Sequence, residues 1–230
     1  MFRASTASPL DPPLMKFAAI IAAAAFLLTA VSAHATSVQF DKTWKEQRFS
    51  LFSSNDFDLR GETLGIGSSG TVSMLWTRVP SALWPTRNAS WQWQVHKGVP
   101  ATDLTRKGGD DRNLALYFVF LPKQIAARMQ DADVLDLMEA PGVRVLMYVW
   151  GGNHVQGQIL PTPYLGERGR TIIRRMAGTG AEDETVDLAK DYQSAFGEPM
   201  ESLVGLAISA DSDDTGTRID ASLSRLRLLP

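Results

Sequence analysis

Short segments in which apolar and polar residues alternate follow one another through most of the chain, and this pattern constrains the fold more than any other feature. Ser90–His96 is the clearest example, since Trp91, Trp93 and Val95 fall on one face and polar residues on the other. Alternation with a period of two is typical of a β-strand with one buried face. Residues that favour turns separate the segments. Further strands of this kind are predicted at 47–52, 57–60, 62–67, 71–77, 155–160, 170–175, 203–210 and 217–228.

Two segments, Asn113–Phe120 and Arg144–Trp150, are apolar at almost every position and indicate strands inside the molecule. The loss of alternation is expected where both faces of a strand are covered. Helical three-to-four spacing occurs at Gln124–Met138 and Glu184–Phe196, and Gly197 follows the second segment as a C-cap. Many short strands with only two short helices predict a mostly β fold, an antiparallel β-sandwich of the jelly-roll type.

Residues 1–35 predict an N-terminal extension and a cleavable signal peptide, followed by a single domain at 36–230. Met15-Lys16 supplies a basic start, Phe17–Val31 is an uncharged and mostly apolar run, and Ala33-His34-Ala35 offers the small residues that signal peptidase requires. The apolar run is shorter than the roughly 20 residues of a membrane-spanning helix. We therefore expect translation to begin at Met15, the mature protein to be periplasmic or secreted, and no membrane anchor to remain after cleavage.

The composition excludes several classes of function. With 0 Cys, the chain has no disulfides, no thiol nucleophile and no thiolate-bound metal. A formal net charge of −2 offers no basic surface to nucleic acid. The chain has only 3 His, and the sequence contains neither a zinc-binding H-E-x-x-H motif nor a Gly-x-Ser-x-Gly nucleophile motif.

Five short motifs together carry a resemblance to a known family. In chain order they are W-x-W-x-V at 91–95, G-G-D-D-R at 108–112, Y-V-W-G at 148–151, D-Y-x-x-A-F-G at 191–197 and D-S-D-D-T at 211–215. With these motifs, the chain from Trp44 to its C-terminus resembles the bacterial exported domain of unknown function family 3047, which is uncharacterised. The resemblance implies export and a β-sandwich similar to carbohydrate-binding modules. It implies no reaction.

The first candidate site is an acidic loop that leads into the first of the two apolar strands. Gly108-Gly109 permits a tight turn beside four charged residues, Asp103, Asp110, Asp111 and Arg112. Carboxylates next to an arginine suit sugar hydroxyls, and they also suit a hard cation such as calcium. The alternative is a polar turn, in which an aspartate accepts local backbone hydrogen bonds and the arginine forms an ion pair.

A second acidic segment, Asp211–Thr215, lies between the last two predicted strands and resembles the opening of a calcium-binding loop. An EF-hand is excluded: although Gly216 occupies the sixth position, Ser222 occupies the twelfth and no helix flanks the segment. Two interpretations remain. The segment is either another type of calcium or magnesium site, with Asp211 and Asp213 as ligands, or a simple polar turn. No other cofactor is predicted.

Aromatic residues and strand ends supply the remaining candidates. Trp91 and Trp93 lie on the same face of their strand as Val95, which favours a position in the core. Trp150 precedes a Gly-Gly-Asn-His loop, so we predict that its ring stacks on a ligand. His154 in that loop and Glu167 are the last predicted ligand contacts.

These residues support three functional hypotheses. The leading one is a non-catalytic, exported β-sandwich that binds a carbohydrate or another cell-envelope ligand. The second is a polysaccharide hydrolase with a carboxylate pair, for which Glu167 and Asp111 are the candidates. The third is a structural or interaction protein of the envelope without a small-molecule site.

Overall fold

Two β-sheets pack face to face in the computed structural model, which describes Met1 and residues 35–230. The structure confirms the predicted mostly β sandwich of jelly-roll type. The predicted signal peptide, apart from Met1 and Ala35, lies outside the described residues. Within the described part of the chain, no helix has the length and apolar character needed to cross a membrane.

The described residues form thirteen strands and three α-helices. The strands are β1 (Thr36–Ser37), β2 (Lys45–Arg48), β3 (Asp56–Arg60), β4 (Thr63–Ser69), β5 (Val72–Arg78), β6 (Asn88–Lys97), β7 (Arg112–Leu121), β8 (Arg144–Trp150), β9 (Ile159–Thr162), β10 (Gly166–Arg175), β11 (Gly180–Asp187), β12 (Ser202–Asp211) and β13 (Arg218–Leu229). The helices are α1 (Lys123–Arg128), α2 (Val134–Glu139) and α3 (Leu188–Phe196), and Ser81–Leu83 forms a single 3-10 turn.

The larger sheet has seven strands in the order β2-β5-β12-β7-β8-β10-β9. The other sheet has six, in the order β11-β6-β13-β4-β3, with β1 also paired to β13. Neighbouring strands run antiparallel except β8 and β10, which are parallel. The exception arises because β9 and β10 form an edge hairpin whose second strand docks on β8. In this strand order, β12, β7 and β8 occupy the middle of the larger sheet.

These middle strands are buried on both faces, as the apolar sequences of β7 and β8 predict. Strand β12, predicted only as an alternating strand, is buried on both faces as well because it lies between β5 and β7. Even-numbered residues of β7, such as Phe118, face the space between the sheets, and odd-numbered residues face the outer side. Between the sheets, the Trp91 ring of β6 lies 5.6 Å from the Tyr148 ring of β8. The Trp93 ring lies 5.7 Å from the Trp150 ring. Aromatic pairs at such separations add to the stability that burial provides, so this cluster holds the two sheets together.

A second apolar cluster covers the outer face of the seven-stranded sheet. Ala126 of α1 and Val134 and Leu137 of α2 pack there with outward-facing residues of β7 and β8, such as Val119 and Val145. Since apolar residues on both faces of a sheet must be removed from water, the sheet needs a cover on its outer side as well. The short helices supply part of that cover.

The helix predicted at Gln124–Met138 proves to be two helices, so residues 35–230 contain three α-helices and not the two predicted. The first ends at Arg128 and the second begins at Val134. The carboxylate of Asp133 accepts a hydrogen bond of 3.0 Å from the backbone N–H of Asp136. This is the geometry of an N-cap, whose own backbone is extended, and it explains why one continuous helix is interrupted here.

The helix predicted at Glu184–Phe196 begins only at Leu188, because the residues before it belong to β11. Backbone pairing with β6 places Glu184 in a strand despite its helical spacing. The side chain of Asp187 caps the first turn of the helix. The C-terminus is as predicted: Gly197 adopts the left-handed conformation, with φ at 75°.

Glu184 is a buried charge that joins the two sheets at one edge. It is 2% exposed, and its carboxylate accepts hydrogen bonds of 2.5 and 2.9 Å from Arg174. The other oxygen accepts a hydrogen bond of 2.9 Å from Arg175. Both arginines belong to β10 of the larger sheet, whereas Glu184 belongs to β11 of the smaller one. The ion pairs therefore help to set the position of β11.

Replacing Glu184 by Ala should lower the free energy of unfolding by about 3 kcal/mol, because both arginines lose a partner in a poorly hydrated site. Urea denaturation at pH 7 measures this loss. Glu182 of the same strand provides the control, since its side chain is 42% exposed and pairs with Arg175. Glu182→Ala should cost less than about 1 kcal/mol. Equal losses in the two variants would contradict a structural role for burial of Glu184.

Candidate functional site

A cavity of about 540 Å³ lies on the outer face of the seven-stranded sheet. Side chains of β5, β12, β7 and β8 form its floor, while α2 and residues 162–165 contribute to its walls. Phe49, just after β2, also lines it. Most of the lining is apolar, and Trp76, Val119, Leu137 and Met147 are representative.

One end of the cavity is strongly charged. It lies where β7 begins and β12 ends, since Arg112 is paired with Asp211 across these strands. The two acidic segments predicted as separate candidate sites therefore meet in one place. We call the set the acidic end of the cavity, and it comprises Arg112 with Asp110, Asp111, Asp211, Asp213 and Asp214.

Arg112 organises the acidic end. Its side chain is 14% exposed and donates hydrogen bonds of 3.2 Å to the carboxylate of Asp110 and 3.1 Å to that of Asp211. Its second terminal nitrogen donates to the Tyr117 hydroxyl at 3.1 Å. That hydroxyl lies 2.9 Å from the hydroxyl of Ser209. A buried guanidinium with this many partners is held in a single orientation.

Tyr164 extends the acidic end toward solvent. Its hydroxyl donates a hydrogen bond of 3.1 Å to the second carboxylate oxygen of Asp110, while its ring is largely exposed. The ammonium of Lys107 lies 5.2 Å from the ring centroid. Burial of the hydroxyl, together with the charge of Asp110, raises the pKa of Tyr164 to about 12. The tyrosine therefore stays neutral and presents a flat ring beside the carboxylates.

Asp211 carries the most perturbed carboxyl group of the site. Burial raises its pKa to about 8, against the opposing effect of Arg112, and contact with the Asp213 carboxyl adds to the rise. Burial and the neighbouring Asp213, Asp111 and Asp110 also raise the pKa of Asp214. In both residues burial is the larger cause, and the negative charge of the neighbouring carboxylates adds to it.

Asp111 has a structural task within the same set. It is fully buried, and its two carboxylate oxygens accept hydrogen bonds from the backbone N–H groups of Asp214 at 3.3 Å and Thr215 at 2.8 Å. These bonds fix the turn between β12 and β13. They also bring the carboxylates of Asp111, Asp213 and Asp214 within 4.8 Å of one another.

The sequence profile of a family described as a protein of unknown function, DUF3047, matches residues 37–227. The chain belongs to this family. The match covers the motifs that contain Arg112 and Asp211, so both halves of the acidic end lie within the family's domain. No curated protein matches the chain.

Three solved structures resemble the chain at 10% sequence identity. One is the xyloglucanase domain of NopAA, a type three effector from Sinorhizobium fredii, in complex with cellobiose. The match covers 86% of this chain and 100% of that domain, with a TM-score of 0.45. The cellulase MT Cel12A, derived from Cel12A of Rhodothermus marinus, has the same coverages and a TM-score of 0.48. For the family 11 xylanase from Neocallimastix patriciarum, the match covers 86% of this chain and 98% of the xylanase, with a TM-score of 0.39. These values are too low to carry an activity over to this protein.

Asp103 and His154 belong to two loops that meet beside the cavity, and neither side chain lines it. The Asp103 carboxylate accepts hydrogen bonds from the hydroxyl and backbone N–H of Thr105, which lower its pKa. His154 accepts a hydrogen bond of 3.1 Å from the backbone N–H of Leu104. Its Nε2 lies 3.3 Å from the carboxylate of Asp103. The pair thereby positions Leu104, whose side chain does line the cavity.

Trp150 does not occupy the place predicted for it. It is 3% exposed and packs in the core between the sheets, and what remains open of it lines a second, smaller cavity with Val155 and Arg175 and not the cavity of the acidic end. Strand β8 is buried on both faces, and its last residue shares that burial. Glu167 lies on the surface with its side chain 92% exposed and paired with Arg170. Neither Glu167 nor Asp111 lines the cavity, so the carboxylate pair considered for hydrolysis does not face it.

The structure adds residues that the sequence analysis missed, notably Tyr164, Met147 and the whole of α2. Tyr164 follows a Thr-Pro step outside any strand, and nothing in its local sequence indicates a site. Met147 could have been found, because a strand that is apolar on both faces must present alternate residues to a second layer. Only the fold shows that this layer leaves a cavity.

Replacing Arg112 by Ala should lower the free energy of unfolding by about 3 kcal/mol, because the carboxylates of Asp110 and Asp211 lose their shared partner away from water. Chemical denaturation followed by tryptophan fluorescence measures the change. Arg60 is the matched control, since its ion pair with Asp58 is exposed and Arg60→Ala should leave stability unchanged. A wild-type stability for Arg112→Ala would show that Arg112 does not organise the site.

Proposed function

We propose that this protein binds an amphiphilic molecule of the cell envelope, with the apolar part in the cavity and an uncharged, hydroxyl-bearing head group at the acidic end. The observation that carries the proposal is the combination of an apolar lining and a charged end within one cavity. This makes the predicted carbohydrate or cell-envelope ligand more specific. It favours a sugar that carries an apolar chain over a free polysaccharide.

The apolar part of the proposal rests on the size and chemistry of the cavity. Its volume of about 540 Å³ falls within the range of roughly 300–1,000 Å³ that small-molecule sites occupy. Such sites are mainly apolar and contain a few polar groups that orient the ligand. Away from the acidic end, the floor is mainly hydrocarbon, with residues such as Ala207, Val119 and Met147, and Thr77 is its polar exception. A sugar chain along this floor would lose hydration without gaining partners.

The head-group part rests on the charge and polarity of the acidic end. Asp213 and Asp214 are exposed and line the cavity, so their oxygens are available as hydrogen-bond acceptors for hydroxyl groups. The exposed ring of Tyr164 suits the apolar face of a sugar. A carboxylate or phosphate head would instead meet several negative charges, which disfavours fatty acids and phospholipids.

An apolar lip beside the cavity supports entry from a lipid or micellar phase. Phe49 lines the cavity and is 58% exposed. Leu51 and Phe52 follow it and are 87% and 97% exposed. Exposed apolar residues that adjoin one another indicate an interaction site more often than isolated ones do. The predicted signal peptide would bring such a protein to the envelope, where molecules of this chemistry occur.

Isothermal titration with three matched ligands tests the proposal. Octyl glucoside below its micellar concentration combines a sugar with an apolar chain, cellobiose has only the sugar, and octanoate has the chain with an anionic head. We expect octyl glucoside to bind at least about tenfold more tightly than either of the others, a difference of roughly 1.4 kcal/mol. Cellobiose binding as tightly as octyl glucoside would refute the apolar part of the proposal. Equal binding of octanoate would refute the head-group part.

A substitution on the cavity floor should separate this site from nonspecific detergent binding. Ala207→Leu adds a larger side chain to the floor and should weaken octyl glucoside binding at least about tenfold through lost volume. Ala181→Leu makes the same change at an exposed position of β11 and should leave binding unchanged. Circular dichroism confirms that both variants fold. Unaltered binding by folded Ala207→Leu would place the ligand elsewhere.

A further inference from the structure

The acidic end holds more negative charge than its arginine can neutralise. Arg112 forms ion pairs with Asp110 and Asp211. Among residues 35–230, the carboxylates of Asp111, Asp213 and Asp214 take part in no ion pair, although they lie within 4.8 Å of one another. Like charges this close in a partly dehydrated site repel one another. The backbone bonds that fix the turn between β12 and β13 nevertheless hold them together.

Asp211 supplies an independent indication of a missing partner. The residue is 7% exposed and lines the cavity. One of its carboxylate oxygens accepts from Arg112, but no donor in the described part of the chain reaches the other, Oδ1. The Asp211 carboxyl is within hydrogen-bonding reach of that of Asp213, so it borders the group of three. A buried carboxylate oxygen without a donor is costly unless a proton or a bound cation satisfies it.

The donor atoms match a hard cation. All of them are carboxylate oxygens, the ligands that calcium prefers, and calcium binds oxygen at about 2.3–2.6 Å. Two ligands on opposite sides of a calcium ion are thus about 4.6–5.2 Å apart, so oxygens within 4.8 Å of one another fit around one ion. The oxygens of Asp111 each accept one backbone hydrogen bond and keep a second lone pair for a metal.

We propose that Asp111, Asp213 and Asp214 bind a calcium ion at the acidic end of the cavity, and that the free oxygen of Asp211 borders or completes the site. The ion offsets the charge that Arg112 leaves unbalanced. The assignment differs from the sequence hypothesis of Asp211 and Asp213 alone, because it draws Asp111 from the opposite loop into the site. It stands on the acidic end by itself and does not require the amphiphile.

Calcium alone is the probe that tests the assignment. Titration calorimetry of the chelator-treated protein with calcium chloride should show binding with a dissociation constant on the order of 10⁻⁴ to 10⁻³ M, as in other extracellular modules. The melting temperature should rise with calcium in the same range, since a ligand that binds only the folded state stabilises it. Absence of both effects at about 10 mM calcium would overturn the assignment.

Two variants locate the ion. Asp213→Asn/Asp214→Asn preserves side-chain size and should weaken calcium binding at least about tenfold, since each loses a charged ligand. Asp220→Asn, an exposed position on β13 outside the group, should bind as the wild type does. Wild-type affinity in the folded double variant would overturn the site. The calcium titrations contain no amphiphile, and the octyl glucoside and octanoate titrations are run with a chelator, because bound calcium would offset the charges that disfavour an anionic head group. The two results can therefore fail independently.

Discussion

The buried guanidinium of Arg112 is the interaction on which the rest of the site depends. A cation with so little exposure requires anionic and hydrogen-bonding partners, and it draws them from one loop and two strands. Asp110 comes from the loop before β7, and Asp211 from the end of β12. These contacts bring together two acidic segments about 100 residues apart in sequence. The resulting excess of carboxylates gives the acidic end of the cavity its negative charge.

The cavity has a separate physical origin in the double burial of the central strands. Strands β7, β8 and β12 must cover an apolar outer face as well as the face toward the other sheet. Helices α1 and α2 are too short to cover all of it. The part of the outer face that the helices leave uncovered is an apolar depression, and this depression ends at the acidic end of the cavity. An apolar surface next to a charged end therefore follows from incomplete coverage of the sheet together with one buried cation.

Much of the fold could be predicted from local pattern, whereas the site could be predicted only in part. The strands at Asn113–Phe120 and Arg144–Trp150 were recognised because complete burial leaves a continuous apolar run. Arg112 and its aspartates were chosen as candidates because carboxylates next to an arginine suit sugar hydroxyls or a hard cation, but their meeting in one place was not predicted. Trp150 was misplaced because a strand end is a common but not a required location for ligand contacts. Tyr164 was missed because its role comes entirely from a bond to Asp110.

The sequence by itself determined the β-sandwich class, the burial of β7 and β8 on both faces and the two acidic segments, because each of these depends on neighbouring residues along the chain. Tertiary structure alone decided that Asp111 would cap a turn more than 100 residues away and that Glu184 would be a buried charge in a strand. It also decided which face of the sheet stays open. These outcomes depend on which segments meet in space, and a period of two or four residues contains no information about that.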